Sequence, residues 1–276
     1  MCFTLVGLYT DMELKKPLNF IKSLPIKLNR FYGKKSKKKL IVTNKSINKK
    51  KFNPVTNLDR SFEKFIRSLI NRSFPKDAII GEEFVSKNSS NDYKWSIDPI
   101  DGTKAFIAGA PTWSNLIGLM KKESSIIGLA NFPKLNIYYF NDRKQSYLGK
   151  NHKKIIVKSS STSNFKKIKI IGNFHEQINN KRNVKLIKKL GKSIKLLSID
   201  ALSYCLLAEG KIDAVIETSL KPFDIIPLIP IIRNAGGSIT NWTNEPAEKG
   251  GNILATSNRK LHKKLLRVIN SLNKIK

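Results

Sequence analysis

Apolar residues recur at helical spacing from Asp59 to Phe74, where Phe62, Phe65, Ile66, Leu69 and Ile70 fall on one face. The spacing predicts an amphipathic helix ended by Pro75, followed by a short strand, Ala78-Ile79-Ile80, that delivers Glu82. Upstream, Leu18 to Tyr32 has the spacing of a helix interrupted by Pro25, and Lys34 to Lys51 reads as a basic, solvated connector. Trp95-Ser96-Ile97 reads as the end of a strand. The β-rich runs Trp113–Met120, Ser125–Phe132 and Asn136–Phe140, separated by charged or Pro-containing turns, predict an antiparallel meander. Basic loops over 142–151 and 159–164 mark a join. Beyond it the pattern alternates strand (167–173), helix (177–190), strand (193–199), helix (201–209) and strand (212–218). A helix over 223–234, strands at 238–242 and 252–256 and a closing helix from Arg259 complete an α/β layout with a buried sheet.

The 276 residues, 40% of them hydrophobic, suffice for one sizeable core. They divide into two fused halves, about 12–150 and about 151–276, with 1–11 an extra or disordered N-terminus and Met12 an alternative start. Met1 to Tyr9 is apolar but has neither a basic leader nor a cleavage site, so it does not read as a signal peptide. No apolar run approaches the ~20 residues of a membrane span. Cys2 and Cys205 make no disulfide framework, which suits a reducing cytoplasm. The net charge of +32 invites a nucleic-acid reading. Against it, 43 of the 52 basic residues are Lys, scattered from end to end without a recognisable module, and Lys, Asn and Ile share A/T-rich codons. A positive field also steers anionic esters toward a site.

Candidate chemistry centres on Asp98-Pro99-Ile100-Asp101-Gly102-Thr103. Pro99 restricts the backbone between two carboxylates, Gly102 permits a tight turn, and Thr103 opens a short helix whose free N–H groups suit an anion. Asp-Pro and Asp-Gly are also ordinary turn dipeptides with a purely structural use. The neighbouring segments change the picture. Asn53-Pro54-Val55-Thr56-Asn57-Leu58-Asp59, Gly81-Glu82-Glu83, the central motif, and Asp224 followed by Ala235-Gly236-Gly237 occur in an order that resembles the inositol monophosphatase family.

That resemblance implies the layered α-β-α-β-α sandwich of the sugar phosphatases. It also implies a cytoplasmic, lithium-sensitive homodimer that hydrolyses a small phosphate ester with two or three Mg²⁺ ions, Mn²⁺ or Ca²⁺ being other occupants. Carried over residue by residue, Glu82, Asp98, Asp101, Asp224 and the Ile100 carbonyl match metal ligands. Gly102 and Thr103 match the phosphate-cradling turn. Thr103 and Glu82 would orient and deprotonate the attacking water, with Asp59 hydrogen-bonded to the threonine. For Glu83 direct ligation, support of a ligand and a helix-start charge stay open. The residue types agree with a hard cation. Two carboxylates ~4 Å apart repel by about 4 kcal/mol at an effective dielectric near 20. His152, His175 and His262 all lie away from the acidic motifs in sequence, so a zinc site is poorly supplied.

Ala110-Pro111-Thr112-Trp113-Ser114-Asn115-Leu116-Ile117 and the segment from Asp200 to Gly210 resemble the family's histidinol-phosphatase branch, as does Glu217 to Asp224. Inositol-type members usually carry Trp where Phe223 stands and a small residue where Asp200 stands. The resemblance therefore implies L-histidinol phosphate as substrate, with inositol 1-phosphate the alternative. Asp200 and Glu217 would meet the non-phosphate end. For Asp200 the competing reading is an N-cap of the following helix.

Overall fold

The computed structural model describes residues 2–37, 39–46 and 54–272, with side chains from residue 13 onward. Asn53 of the first motif and most of the connector's end (47–51) lie outside the described residues.

Helix α1 (Cys2–Lys35) runs unbroken through Pro17 and Pro25, and it carries residues 2–11, for which the sequence suggested an extra or disordered terminus. An interior proline costs about 3 kcal/mol. Leu14, Phe20, Ile21, Leu24 and Leu28, all buried, return about 1.5–3 kcal/mol each, so burial outweighs the penalty of the two prolines. The expected solvated connector contributes β1 (Val42–Asn44), which pairs antiparallel with β2 (Pro54–Thr56). Thr56 then caps α2 (Asn57–Ser73) in a capping box with Asp59, so part of the first motif's spacing is helix-start chemistry.

A seven-stranded sheet follows in chain order: β3 (Ala78–Gly81), β4 (Tyr93–Asp101), β5 (Ser114–Lys121), β6 (Ser124–Phe132), β7 (Ile137–Asn141), β8 (Ser146–Lys150) and β9 (Lys153–Val157). Only β3–β4 is parallel, and α3 (Thr103–Ile107) interrupts the sheet after β4. The predicted meander is present and extends further than expected. The stretch 142–151 is not a joining loop, because Tyr147 and Leu148 pack on the sheet and buried Ser146 donates to the Ile231 carbonyl at 2.6 Å.

The second half contributes β10 (Ile170–Asn173), α4 (Lys181–Leu190), β11 (Ile194–Leu196), α5 (Ala201–Ala208), β12 (Ala214–Leu220), α6 (Pro222–Ile225), α7 (Leu228–Asn234), β13 (Ser238–Asn241), β14 (Gly251–Thr256) and α8 (Arg259–Ser271). Its sheet order is β11-β10-β12-β14-β13, with β11, β10 and β12 parallel. The helix expected over 177–190 starts late, at Lys181, where Asn180 caps it. The helix expected over 223–234 divides at Pro227, whose ring removes the N–H that would continue it.

Three hydrophobic clusters define the layers. One joins α1 and α2 to one face of the large sheet through Trp95, Ile117 and Leu119. A second joins the opposite face to α5, α7 and the second sheet, and a third packs α4 and α8 outside that sheet. Leu254 enters the third cluster while Ile253 and Ala255 enter the second, as the period of two requires. The result is an α-β-α-β-α sandwich. Among the described residues no helix is long and apolar enough to cross a membrane.

His262 on α8 is buried between Thr240 (2.9 Å) and Thr256 (3.1 Å), and burial lowers its pKa to about 4. It is neutral when folded but titrates near 6.5 when unfolded. Its contribution is complete above pH 6.5 and is lost as pH falls toward 4, about 3 kcal/mol in all. Urea midpoints of wild type and His262→Gln between pH 7 and 4 check this. The variant is expected to lose the part of the acid slope that wild type shows.

Candidate active site

Asp98 and Asp101 stand three apart, so strict strand alternation sends them to opposite faces. The β4–β5 register instead shifts between Asp98↔Leu116 and Asp101↔Ser114. That bulge adds one residue to β4, and both carboxylates face the same cleft. Buried Asn115 holds the bulge: its Nδ2 donates to the Pro99 carbonyl at 2.6 Å, and its Oδ1 accepts from Asn131 at 3.0 Å. Gly102, at φ 80°, then turns the chain into α3. A Cβ there would lie 2.6 Å from Asp200 Oδ2, so glycine is required twice over.

The cleft has a volume of about 740 Å³ and lies between the two halves. Glu82, Asp98, Ile100, Asp101, Gly102, Thr103, Asp200, Glu217 and Asp224 all line it, and Asp59 lies just behind. Glu82 follows β3. Asp224 sits in the first turn of α6, its Oδ2 accepting from the Lys221 N–H at 2.7 Å. The Thr103 hydroxyl lies 3.1 Å from the Ile100 carbonyl and 3.4 Å from Asp59 Oδ1. It does not cap α3, whose N-cap is Gly102.

Burial, reinforced by neighbouring carboxylates, raises Asp98 and Asp101 well above the usual carboxylate range and Asp224 to about 7. Lys45, expected in a solvated connector, pairs with both Glu82 (3.0 Å) and Glu83. Those glutamates outweigh the burial that opposes its charge. Among the described residues no three Asp, Glu, His or Cys side chains are drawn together as a finished cation shell. The case for a cation rests on charge and donor type: four converging carboxylates, oxygen donors only, in a site that penalises each negative charge. This set fits a hard divalent ion.

Asp200 occupies the N-cap position of α5 at φ 46°, but its side chain does not do the capping. The α5 N-terminus is capped from the other half of the molecule, by Asp101 Oδ2 accepting from the Ala201 N–H at 2.9 Å. Asp200 lines the cleft instead, raised to about 6 by burial and by Glu217. The parallel strands β11, β10 and β12 all end at this side of the cleft, as expected for an α/β sheet. Sequence reasoning missed His175. It follows β10 and lines the cleft, its Nε2 3.0 Å from Glu217 Oε1. The offset from the carboxyl end of β10 was the one available signal.

The model of the inositol monophosphatase family matches residues 26–274. The chain belongs to that family. Its members are phosphatases. The chain is 35% identical over 221 residues to the chloroplastic bifunctional phosphatase IMPL2 of Arabidopsis thaliana, covering 76% of this chain and 62% of that protein. It thus spans under two thirds of that relative's length. It is 30% identical over 233 residues to a histidinol-phosphatase of Mycobacterium tuberculosis, covering 79% of this chain and 85% of that one. A solved IMPase/NADP phosphatase complexed with NADP and Ca²⁺ superposes with a TM-score of 0.80 at 19% identity, over 94% of this chain and 96% of the other. That likeness bears out the layered fold.

Proposed function

We propose that this chain is a divalent-cation-dependent phosphate monoester hydrolase whose substrate is L-histidinol phosphate. The observation that carries the substrate is Asp200. Its capping duty is taken by Asp101, and its carboxylate faces the cleft beside the acidic cluster. Histidinol phosphate bears an ammonium and an imidazole, whereas inositol 1-phosphate offers neutral hydroxyls. A charge-assisted hydrogen bond to a cation is worth roughly 1.5–3 kcal/mol, about ten- to a hundredfold in discrimination.

Glu82, Asp98, Asp101, Asp224 and the Ile100 carbonyl would hold the cation, Mg²⁺ first, which when bound offsets phosphate charge and stabilises the leaving alkoxide. The first-turn N–H groups of α3, beginning at Thr103, have no helical partners and suit the phosphate oxygens. The Thr103 hydroxyl donates toward Ile100 O or Asp59, which leaves its lone pair to accept from water. Glu82 removes that water's proton. The water oxygen then attacks phosphorus in line and the ester P–O bond breaks; the alkoxide takes a proton from solvent and Glu82 returns the one it took, so that the products are the alcohol and hydrogen phosphate.

Thr103→Ala is expected to lower kcat about a hundredfold or more with little change in KM and melting temperature. Unchanged kcat would remove Thr103 from the mechanism. The substrate is tested by phosphate release with Mg²⁺ from histidinol phosphate and inositol 1-phosphate, for wild type and Asp200→Ala. Preference for the inositol ester, or a preference unaltered in the variant, would overturn the assignment. Salt-sensitive retention on nucleic acid without turnover would favour the basic-protein reading instead.

A further inference from the structure

Glu217 is the acid the sequence offered as a second contact for the substrate, yet it is walled in. Its Oε1 accepts from Asn173 Nδ2 at 2.9 Å and faces His175 Nε2 at 3.0 Å, while Oε2 accepts from the buried Tyr204 hydroxyl at 2.8 Å. The Glu217 side chain is 3% exposed and that of His175 36%. Whatever approaches this wall of the cleft meets the imidazole first.

We propose that His175 is a specificity-determining residue: its imidazole, not the Glu217 carboxylate behind it, receives the alcohol part of the phosphate ester, with Asp200 as the carboxylate left for a cationic group. This rests on the reading of the cleft as a phosphatase site and refines its substrate class. Asn173 sets the geometry, since its side chain binds Glu217 through Nδ2 and accepts from the His175 N–H at 3.4 Å through Oδ1. His175 itself has φ 45°, a left-handed backbone that a non-glycine residue adopts only when its surroundings hold it there. With Nε2 committed to Glu217, Nδ1 and the ring face are what a ligand finds. The hydrogen bond to Glu217 raises the imidazole's pKa against the opposing effect of burial. Lying against Glu217, the ring covers one of the two carboxylates at this end and leaves Asp200 as the one facing the cleft. The substrate class that fits is a phosphate ester whose alcohol part carries one cationic group for Asp200 and a polar or aromatic group within reach of the imidazole.

The experiment compares kcat and KM of wild type and His175→Ala with Mg²⁺ on three esters: histidinol phosphate, inositol 1-phosphate and ethyl phosphate, the last having neither a polar nor an aromatic group to reach His175. Calorimetry with L-histidinol gives a second readout that needs no turnover. The variant is expected to lose about tenfold or more in kcat/KM on the better of the first two esters, mainly through KM. Its rate on ethyl phosphate should stay within about twofold. An equal fall on all three esters, or an unchanged ratio, overturns the proposal. Wild type ignoring histidinol phosphate but cleaving inositol 1-phosphate sinks only the substrate assignment, since the ratio against ethyl phosphate still judges His175. Wild type inert on every ester removes both.

Discussion

Asp98→Asn and Asp224→Asn are each expected to lower phosphate release by more than about a hundredfold while leaving metal-free protein as stable as wild type, or more so. The two effects share one cause. Asp98 is buried among Glu82, Asp101, Asp224 and Asp59, and Asp224 is raised to about 7, so each ionised carboxylate is unfavourable in the folded chain. An amide of the same shape removes a charge without opening a cavity. The same replacement takes a ligand from the cation, and loss even of a group that merely supports a ligand costs 10–100-fold. Wild type should gain melting temperature on adding Mg²⁺, because ligand binding to the folded state stabilises it, and the variants should gain less. Phosphate release and melting curves in chelator and in Mg²⁺ check all of this. Full turnover of wild type in excess chelator would falsify it.

Gly128→Ala is expected to be the most destabilising single methyl in the large sheet, with a loss of about 3 kcal/mol or more. Gly118 and Gly128 are paired across β5 and β6, and together they form a trough for the chain at Pro227, between α6 and α7. A Cβ on Gly128 would lie 1.8 Å from the Pro227 carbonyl oxygen, which is backbone and cannot swing away. Ser125 reinforces the contact, donating to the Ile226 carbonyl at 2.7 Å. Asp224 stands one turn upstream, so lifting this segment withdraws a carboxylate from the cleft. Weaker Mg²⁺ stabilisation should therefore accompany the lower urea midpoint. Gly33→Ala in α1 is the control. A Cβ there meets nothing within 4 Å, and helix propensity predicts a gain of up to about 1 kcal/mol. A Gly128 variant no less stable than the control would refute the packing argument.

Much of the molecule was legible in the chain because local rules dictate it. The α2 face from Phe62 to Ile70, the meander from Trp113 to Phe140 and the alternation after residue 167 follow from periods of 3.6 and 2, which act within one element. The acidic segments were legible as a set because each is a turn or strand end of distinctive composition. In the folded chain Glu82, Asp98, Asp101 and Asp224 line one cleft.

Other features depended on partners far along the chain. Pro25 reads as a break, but a helix pressed against a sheet tolerates it when its buried face outweighs one lost hydrogen bond. Asp200 before a helix reads as a cap by every local rule. Only the packed halves show Asp101, a hundred residues away, holding that N-terminus and leaving Asp200 to the cleft. His175 reads as a lone polar residue until parallel pairing of β10 with β12 sets it on Glu217. The chain alone thus determined the elements and the chemical types available, since both depend on neighbours within a few residues. Which donor meets which acceptor was decided by tertiary structure, because hydrogen bonds and close backbone approaches join residues that sequence separation leaves unrelated.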